Sequence, residues 1–146
     1  AHGNEPSHHV AYLYACAGEP WKTQYWSRFI CEHAYHDKVE GLVGNEDAGQ
    51  MSAWYVLSAC GLYPICPGDT RYEITSPLFN EITIKVGDNK TFVIKAHNNS
   101  TSNTYIQSAR LNGKEYSQCY LDYQDIMNGG VLVLEMGNAP NMHWGI

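Results

Sequence analysis

Two segments of this sequence combine residue types suited to acid–base or metal chemistry. The first is residues 3–9, with the sequence GNEPSHH, and the second is residues 44–50, with the sequence GNEDAGQ. Each places amide and carboxyl groups directly before a stretch with helical spacing of apolar residues. Carboxylates act as general acids and bases, and they bind hard cations such as calcium. The repeated Gly-Asn-Glu therefore marks Glu5 and Asp47 as candidates for one shared site.

Helix capping explains the same residues without any chemistry. Asn and Asp cap helix N-termini, and acidic residues there interact favourably with the helix macrodipole. A macrodipole would also keep such a carboxylate ionised, which suits a base or a metal ligand. Helices joined by short loops run antiparallel, so the first and third would begin at the same end and their acids could meet. Two independent caps and one shared pocket both remain open at this stage.

Other kinds of site have less support in the sequence. His8 and His9 are adjacent, so on a helix they point in different directions and do not easily chelate one ion. The sequence has no HExxH pattern, no EF-hand loop and no nucleophilic serine motif. Its five cysteines cannot all pair within the chain and show no zinc-site spacing. Oxygen ligands from Asn, Glu and Asp favour a hard cation over zinc.

The order of the predicted elements gives an α+β fold class. Apolar spacing predicts helices over residues 7–17 and 50–60, and a helix opening at residues 19–20 that places Trp21, Tyr25, Phe29 and Ala34 near one face. After residue 67 the period changes to two. Strands are predicted at 72–75, 82–86, 91–96, 105–111 and 131–136, with a hairpin turn at residues 112–113. Helices in residues 1–67 are thus followed by a small antiparallel β region in residues 68–146.

Composition narrows the possible partners. The net charge of −6 argues against a nucleic-acid surface, which needs clustered Lys and Arg. No apolar run approaches the roughly 18 residues of a membrane span. The first and third predicted helices are apolar around much of their circumference, which is typical of helices inside a larger helical assembly. We therefore expect these 146 residues to be part of a longer protein.

The motifs, taken together, resemble the family-92 glycoside hydrolases. Besides the two Gly-Asn-Glu segments, the resemblance rests on PWKTQ at residues 20–24, QMSAWY at 50–55, GLYP at 61–64 and SPLF at 76–79, and it covers essentially the whole chain. It implies an inverting, calcium-dependent exo-α-mannosidase, mostly bacterial, that trims mannose, expected to be α-1,2-linked, from N-glycans and other mannose-containing glycans. It also implies a protein several times longer. An N-terminal β-sandwich would precede an (α/α)6 barrel, and residues 1–67 would be the last helices of that barrel.

The resemblance also implies roles for residues of the two motifs. Asp47 corresponds to the candidate general base, with Glu46 as a second candidate. Glu5 and Asn4 are implied calcium ligands. The side chains implied to bind substrate are those of Asn4, His8 and Gln50. The general acid would lie before this segment.

The resemblance implies a periplasmic, cell-surface or secreted enzyme of a bacterium. The alternative is a non-catalytic carbohydrate-binding or structural module, because a partial barrel without its acid lacks complete catalytic machinery. The 4 Trp and 11 Tyr residues fit a carbohydrate platform, but they fit an ordinary core as well.

Overall fold

A computed structural model describes residues 2–146, and it corrects the first predicted helix. Two 3-10 turns, Glu5–Ser7 and Val10–Tyr12, lead into the four-residue helix α1 (Leu13–Cys16). An uninterrupted helix would use the carbonyl of His8 to accept from the amide of Tyr12. That carbonyl instead accepts from Nε1 of Trp54 at 2.9 Å, and the Tyr12 amide bonds to the carbonyl of His9. The tertiary contact therefore replaces a helical hydrogen bond.

The other two helices confirm the sequence prediction. Helix α2 spans Pro20–His33, with proline in its first turn, and α3 spans Gln50–Ala59. Gly61 follows α3 with a φ of +85°, a left-handed conformation that suits glycine after the end of a helix. The α+β class is thus confirmed, with these helices before the strands.

Helix α2 packs through its polar face and leaves its aromatic face exposed. Tyr25 and Phe29, which the periodicity had placed on one face, are 41% and 40% exposed. The buried face includes Gln24, whose Oε1 accepts from the backbone amide of Ile106 at 2.8 Å. Arg28 is also buried, and it donates to the carbonyl of Pro77 and to one serine and one asparagine side chain in two different loops of the β region. Directed hydrogen bonds therefore join α2 to the β region.

The β region contains two sheets, one of which is mixed. The strands are β1 Leu62–Tyr63, β2 Arg71–Ile74, β3 Glu81–Val86, β4 Lys90–His97, β5 Tyr105–Leu111, β6 Lys114–Glu115, β7 Tyr120–Asp122 and β8 Gly130–Gly137. The larger sheet has five strands in the order β3-β4-β8-β5-β6, and the smaller has the order β1-β2-β7. Strands β4 and β8 run parallel, which corrects the expectation of a purely antiparallel region. Parallel neighbours need a long crossover, and the chain between these two strands supplies one.

Period-two patterning located the longer strands and missed the short elements. Strands β1, β6 and β7 have two or three residues, too few to show a period, and helix α4 (Tyr123–Met127) has five. The hairpin at residues 112–113 is confirmed between β5 and β6, with φ of +51° at Asn112 and +80° at Gly113. These angles fit the type I′ turn that an Asn-Gly pair favours.

Two apolar cores lie in the described chain. One is formed by alternate residues of the larger sheet and by residues of the smaller one, including Phe92, Ile94 and Leu134. The other lies under the two motif segments and contains Tyr12, Trp54 and other side chains of the helical part and β1. Strand β1 lies before residue 67 and pairs with β2 after it. The division into two domains there stays a prediction. None of the helices within residues 2–146 has the length and apolar character needed to cross a membrane.

Candidate active site

The two motif segments cross at their first residues, Gly3 and Gly44. A Cβ atom on Gly44 would lie 2.2 Å from the carbonyl oxygen of Gly3, and one on Gly3 would lie 2.7 Å from the carbonyl oxygen of Val43. Gly44 also has a φ of +95°, which L-residues with side chains rarely adopt. Glycine at the start of each motif therefore allows the two backbones to touch.

Beyond this crossing, the carboxyl groups of Glu5 and Asp47 lie within hydrogen-bonding reach of each other. The pKa of Glu5 is lowered, first by a hydrogen bond from its own backbone amide and then by Asp47. The pKa of Asp47 is raised, chiefly because Glu5 is its hydrogen-bond partner. Two carboxyl groups share a hydrogen bond only when one carries a proton, and the opposite directions of the two shifts make Asp47 the better proton acceptor of the pair. The two motifs therefore converge on one site.

Asp47 lies in a strained turn before α3 and outside the helix. It has a φ of +50°, and Ala48 and Gly49 follow with φ of +56° and +93°. Left-handed residues other than glycine are uncommon, and such strain tends to occur at functional sites. The helix N-terminus was expected to keep this carboxylate ionised, and the contact with Glu5 acts in the opposite direction by raising the pKa of Asp47.

Glu46 fulfils the capping role that the sequence left open. Its Oε1 accepts from the backbone amide of Ser52 at 3.0 Å, and its Oε2 accepts from the hydroxyl of Ser52 at 2.8 Å. Its backbone carbonyl accepts from the amide of Met51. Both carboxylate oxygens thus stabilise the first turn of α3, as an N-terminal acid does. Asp47 is the freer of the two candidate bases.

The side chains of His8, in the first motif, and Gln50, in the second, contact each other. His8 is only 2% exposed, and its Nδ1 lies 3.2 Å from Nε2 of Gln50. Its Nε2 lies 3.1 Å from the carbonyl oxygen of His2, whose ring stacks on it with centroids 4.6 Å apart. The substrate-binding roles of His8 and Gln50 stay predictions, and the His8 ring is held by protein partners.

Sequence reasoning missed several aromatic residues that support this site. Trp54 is fully buried and contacts the His2 ring, with centroids 4.2 Å apart. Tyr35 donates to the carbonyl of Met51 at 3.1 Å, and its hydroxyl lies 2.7 Å from Nε2 of His2. Burial and the neighbouring His8 lower the pKa of His2 to about 4, so this ring is neutral near pH 7. Trp54 lies within the QMSAWY motif, which was the available signal, whereas nothing local pointed to Tyr35.

The metal-binding potential of the site is partial. Residues 2–146 contain no group of three or more His, Cys, Asp or Glu side chains placed to hold a metal ion. Asn4, Glu5 and Asp47 are exposed and offer oxygen atoms, which suit calcium better than zinc. Calcium takes six to eight oxygens, so the donor set fits only as one part of a shell. A pocket of about 460 Å³ is lined by Tyr35 and Tyr55, among others, and none of the six predicted site residues lines it.

Comparison with known proteins identifies the family to which this chain is similar. The model of the glycosyl hydrolase family 92 catalytic domain matches residues 1–138. A protein of Arthroderma benhamiae named as an uncharacterized secreted glycosidase is 34% identical over 146 residues, covering 98% of this chain and 19% of that protein. This chain therefore spans about a fifth of the length of that relative.

Two solved structures from Bacteroides thetaiotaomicron share the fold. A family GH92 α-mannosidase in complex with mannoimidazole superposes with a TM-score of 0.95 at 43% identity, covering 99% of this chain and 19% of the other. A family GH92 inverting mannosidase gives a TM-score of 0.94 at 46% identity, covering 99% and 20%. The match extends along both motif segments and both sheets, and on this basis the chain belongs to glycosyl hydrolase family 92.

Proposed function

We propose that this chain supplies the general base of a longer enzyme that removes terminal α-linked mannose from glycans with inversion of configuration. The observation that carries the proposal is the convergence of Glu5 and Asp47 at the crossing of the two motifs. Support comes from the two Bacteroides thetaiotaomicron structures, which are named as α-mannosidases, one of them inverting.

Asp47 is assigned the role of the base that activates water. A base accepts a proton best when its pKa lies near the working pH, and Glu5 moves the pKa of Asp47 upward in that direction. The strained turn holds Asp47 away from α3, where its carboxyl group is exposed to a water molecule. Glu46 is the second candidate, and its two bonds to Ser52 make it the weaker one.

Glu5 is not the matching acid in this proposal. The two carboxyl groups of an inverting glycosidase typically lie about 6.5–9.5 Å apart, which leaves room for the attacking water. Glu5 and Asp47 are hydrogen-bond partners, so their carboxyl groups lie closer together than this separation. The acid that protonates the leaving oxygen therefore comes from another part of the full-length protein.

Calcium is the proposed cofactor, with Asn4 and Glu5 as part of its shell. When bound, calcium would hold sugar hydroxyls and favour distortion of the ring. Asn4 is exposed, and its side chain makes no cap to the following 3-10 turn. Glu5 has a lowered pKa, so it is ionised near neutrality and suited to a cation.

The rest of the enzyme is proposed to be an N-terminal β-sandwich and the remainder of an (α/α)6 barrel. The exposed rings of Tyr25, Trp26 and Phe29 on α2 fit helices that continue packing in the full-length protein. We also propose α-1,2-linked mannose as the substrate and a bacterial periplasmic, cell-surface or secreted location. A relative named as a secreted glycosidase supports an extracellular role.

The proposal is tested with the full-length protein and a panel of α-linked mannosides. We expect release of mannose that is initially the β-anomer, followed by NMR before mutarotation, and a preference for α-1,2 linkages. Initial release of the α-anomer would contradict inversion. Mannose binding without turnover would favour a non-catalytic carbohydrate-binding module.

A further inference from the structure

The hydrogen bonds around His8 determine which atom Gln50 can offer to a ligand. His8 ends the first motif's 3-10 turn, and Gln50 is the first residue of α3. Their side chains meet under the site, with Nδ1 of His8 and Nε2 of Gln50 3.2 Å apart. One buried ring therefore connects the two motif segments.

The tautomer of His8 follows from its other neighbour. Nε2 of His8 lies 3.1 Å from the carbonyl oxygen of His2, which can only accept a hydrogen bond. Nε2 must therefore carry the proton and donate it. In the neutral ring this leaves Nδ1 as an acceptor, and the group facing it has to be a donor.

This requirement sets the orientation of the Gln50 amide. Its Nε2 donates to Nδ1 of His8 and also to the hydroxyl of Tyr63 at 3.4 Å. The reverse orientation would place Oε1 of Gln50 against Nδ1, setting two acceptors against each other. Gln50 therefore uses both amide hydrogens inside the protein. Its Oε1 has no hydrogen-bond partner among residues 2–146, and Gln50 is only partly buried.

We propose that His8 is a positioning residue that holds Gln50 so that its Oε1 accepts a hydrogen bond from a hydroxyl group of the bound sugar. The inference rests on the proposed function. It adds that the protein accepts and the sugar donates in this hydrogen bond, and that His8 fixes the orientation of the Gln50 amide. It assigns no sugar contact to His8, whose two ring nitrogens are both engaged. A ligand group that cannot donate a hydrogen bond at this position should bind less well.

Substitutions of His8 separate positioning from general support of the fold. In the full-length enzyme, His8→Asn keeps an acceptor close to the place of Nδ1, whereas His8→Leu keeps none. We expect His8→Leu to raise KM for an α-mannoside by about 10-fold with a smaller change in kcat. The reason is that the lost hydrogen bond would stabilise the bound substrate and the transition state equally. We expect His8→Asn to restore KM to within about 3-fold of wild type. The control is His9→Asn, which changes the adjacent, partly exposed ring and should leave both constants unchanged.

Three results would overturn the inference. Equal KM values for His8→Asn and His8→Leu, whether normal or raised, would show that the acceptor is not what matters. A loss confined to kcat and melting temperature would indicate structural support alone. Neutron diffraction from crystals of the full-length protein gives a readout independent of activity, and deuterium on Nδ1 of His8 in place of Nε2 would also overturn it. Absence of α-mannosidase activity in the wild type would count against the proposed function, while the neutron result would still decide the tautomer.

Discussion

Gly3 and Gly44 touch through their backbones, with room for no more than hydrogen atoms between them. The contact joins residues 41 positions apart in sequence, and it brings Glu5 to Asp47. In the two motifs, the first glycine of each is needed for the close approach of the backbones, and the acidic residues provide the carboxyl groups of the site. The carboxyl pair depends on the absence of two side chains as much as on the presence of two others.

Gly44→Ala should separate the two motifs and lower turnover in the full-length enzyme. The added methyl group would lie 2.2 Å from a backbone oxygen, which cannot rotate away. Gly18→Ala is the matched control, because Gly18 has a similar φ of +76° and no atom within 4 Å of the added Cβ. We expect Gly18→Ala to cost about 1 kcal/mol of stability with normal kcat. Equal kcat for both variants would show that the crossing does not position the site.

Asp47→Asn should reduce kcat by at least about 100-fold, since the amide cannot accept a proton from water. Steady-state hydrolysis of an α-mannoside by the full-length protein measures this. Asp88→Asn is a control matched for backbone, because Asp88 is also left-handed and lies on the turn between β3 and β4. Near-normal turnover of Asp47→Asn would transfer the role to Glu46.

Calcium should be required for activity, and Glu5 should contribute to its binding. A chelator should abolish hydrolysis, and Ca²⁺ should restore it in preference to Zn²⁺, because the available ligands are oxygens. Calorimetric titration should show weaker Ca²⁺ binding by Glu5→Gln than by wild type, with exposed Glu115→Gln as the control. Unchanged affinity in Glu5→Gln would leave Glu5 without a metal role, and restoration by zinc alone would contradict the calcium assignment.

Glu73 should make the protein less stable as the pH rises through neutrality. It lies on the central strand β2, is 6% exposed, and has an Oε2 without a hydrogen-bond partner among the described residues. Burial raises its pKa to about 7 from its ordinary value of 4.5. A raised pKa means that the folded state holds a proton that the unfolded state releases, so the stabilisation is complete below pH 4.5 and is lost as the pH rises to about 7.

Glu73→Gln should remove this dependence and stabilise the protein at pH 8 by up to about 3 kcal/mol. Denaturant unfolding of the full-length protein between pH 4.5 and pH 8 measures the effect. Glu115→Gln is again the control, since its exposed carboxyl group should leave the pH profile unchanged. A pH profile that is the same in wild type and Glu73→Gln would mean that the carboxyl group is hydrated or paired in the full-length protein.

Residues 1–146 expressed alone should be inactive, marginally stable and prone to bind an apolar dye. The exposed rings on α2 form a contiguous aromatic surface, with Trp26 and Phe29 centroids 5.6 Å apart. Replacing Tyr25 and Phe29 by Ser should reduce dye binding, whereas replacing the isolated exposed Phe79 should have little effect. A monomer that unfolds cooperatively without binding dye would contradict the expected contacts with the rest of the enzyme.

Local residue patterns were sufficient for the elements whose cause is local. The start of α2 at Pro20, the end of α3 before Gly61 and the turn at residues 112–113 follow from backbone preferences of proline, glycine and asparagine. The acidic motifs were visible for the same reason, because their residues are adjacent in the chain. Family resemblance then supplied roles that spacing alone could not.

Contacts between distant segments decided the remainder. The carbonyl of His8 accepts a hydrogen bond from Trp54 in place of a helical one. The polar face of α2 packs against the β region, and β4 pairs in parallel with β8. Contact with Glu5 reversed the expected shift in the pKa of Asp47. Each of these features depends on a contact between residues that are far apart in the chain. Such a contact does not change the spacing of apolar residues in either segment, so sequence patterns do not reveal it. The protonation of the site is therefore a property of the folded chain, since it arises only where the two motifs cross.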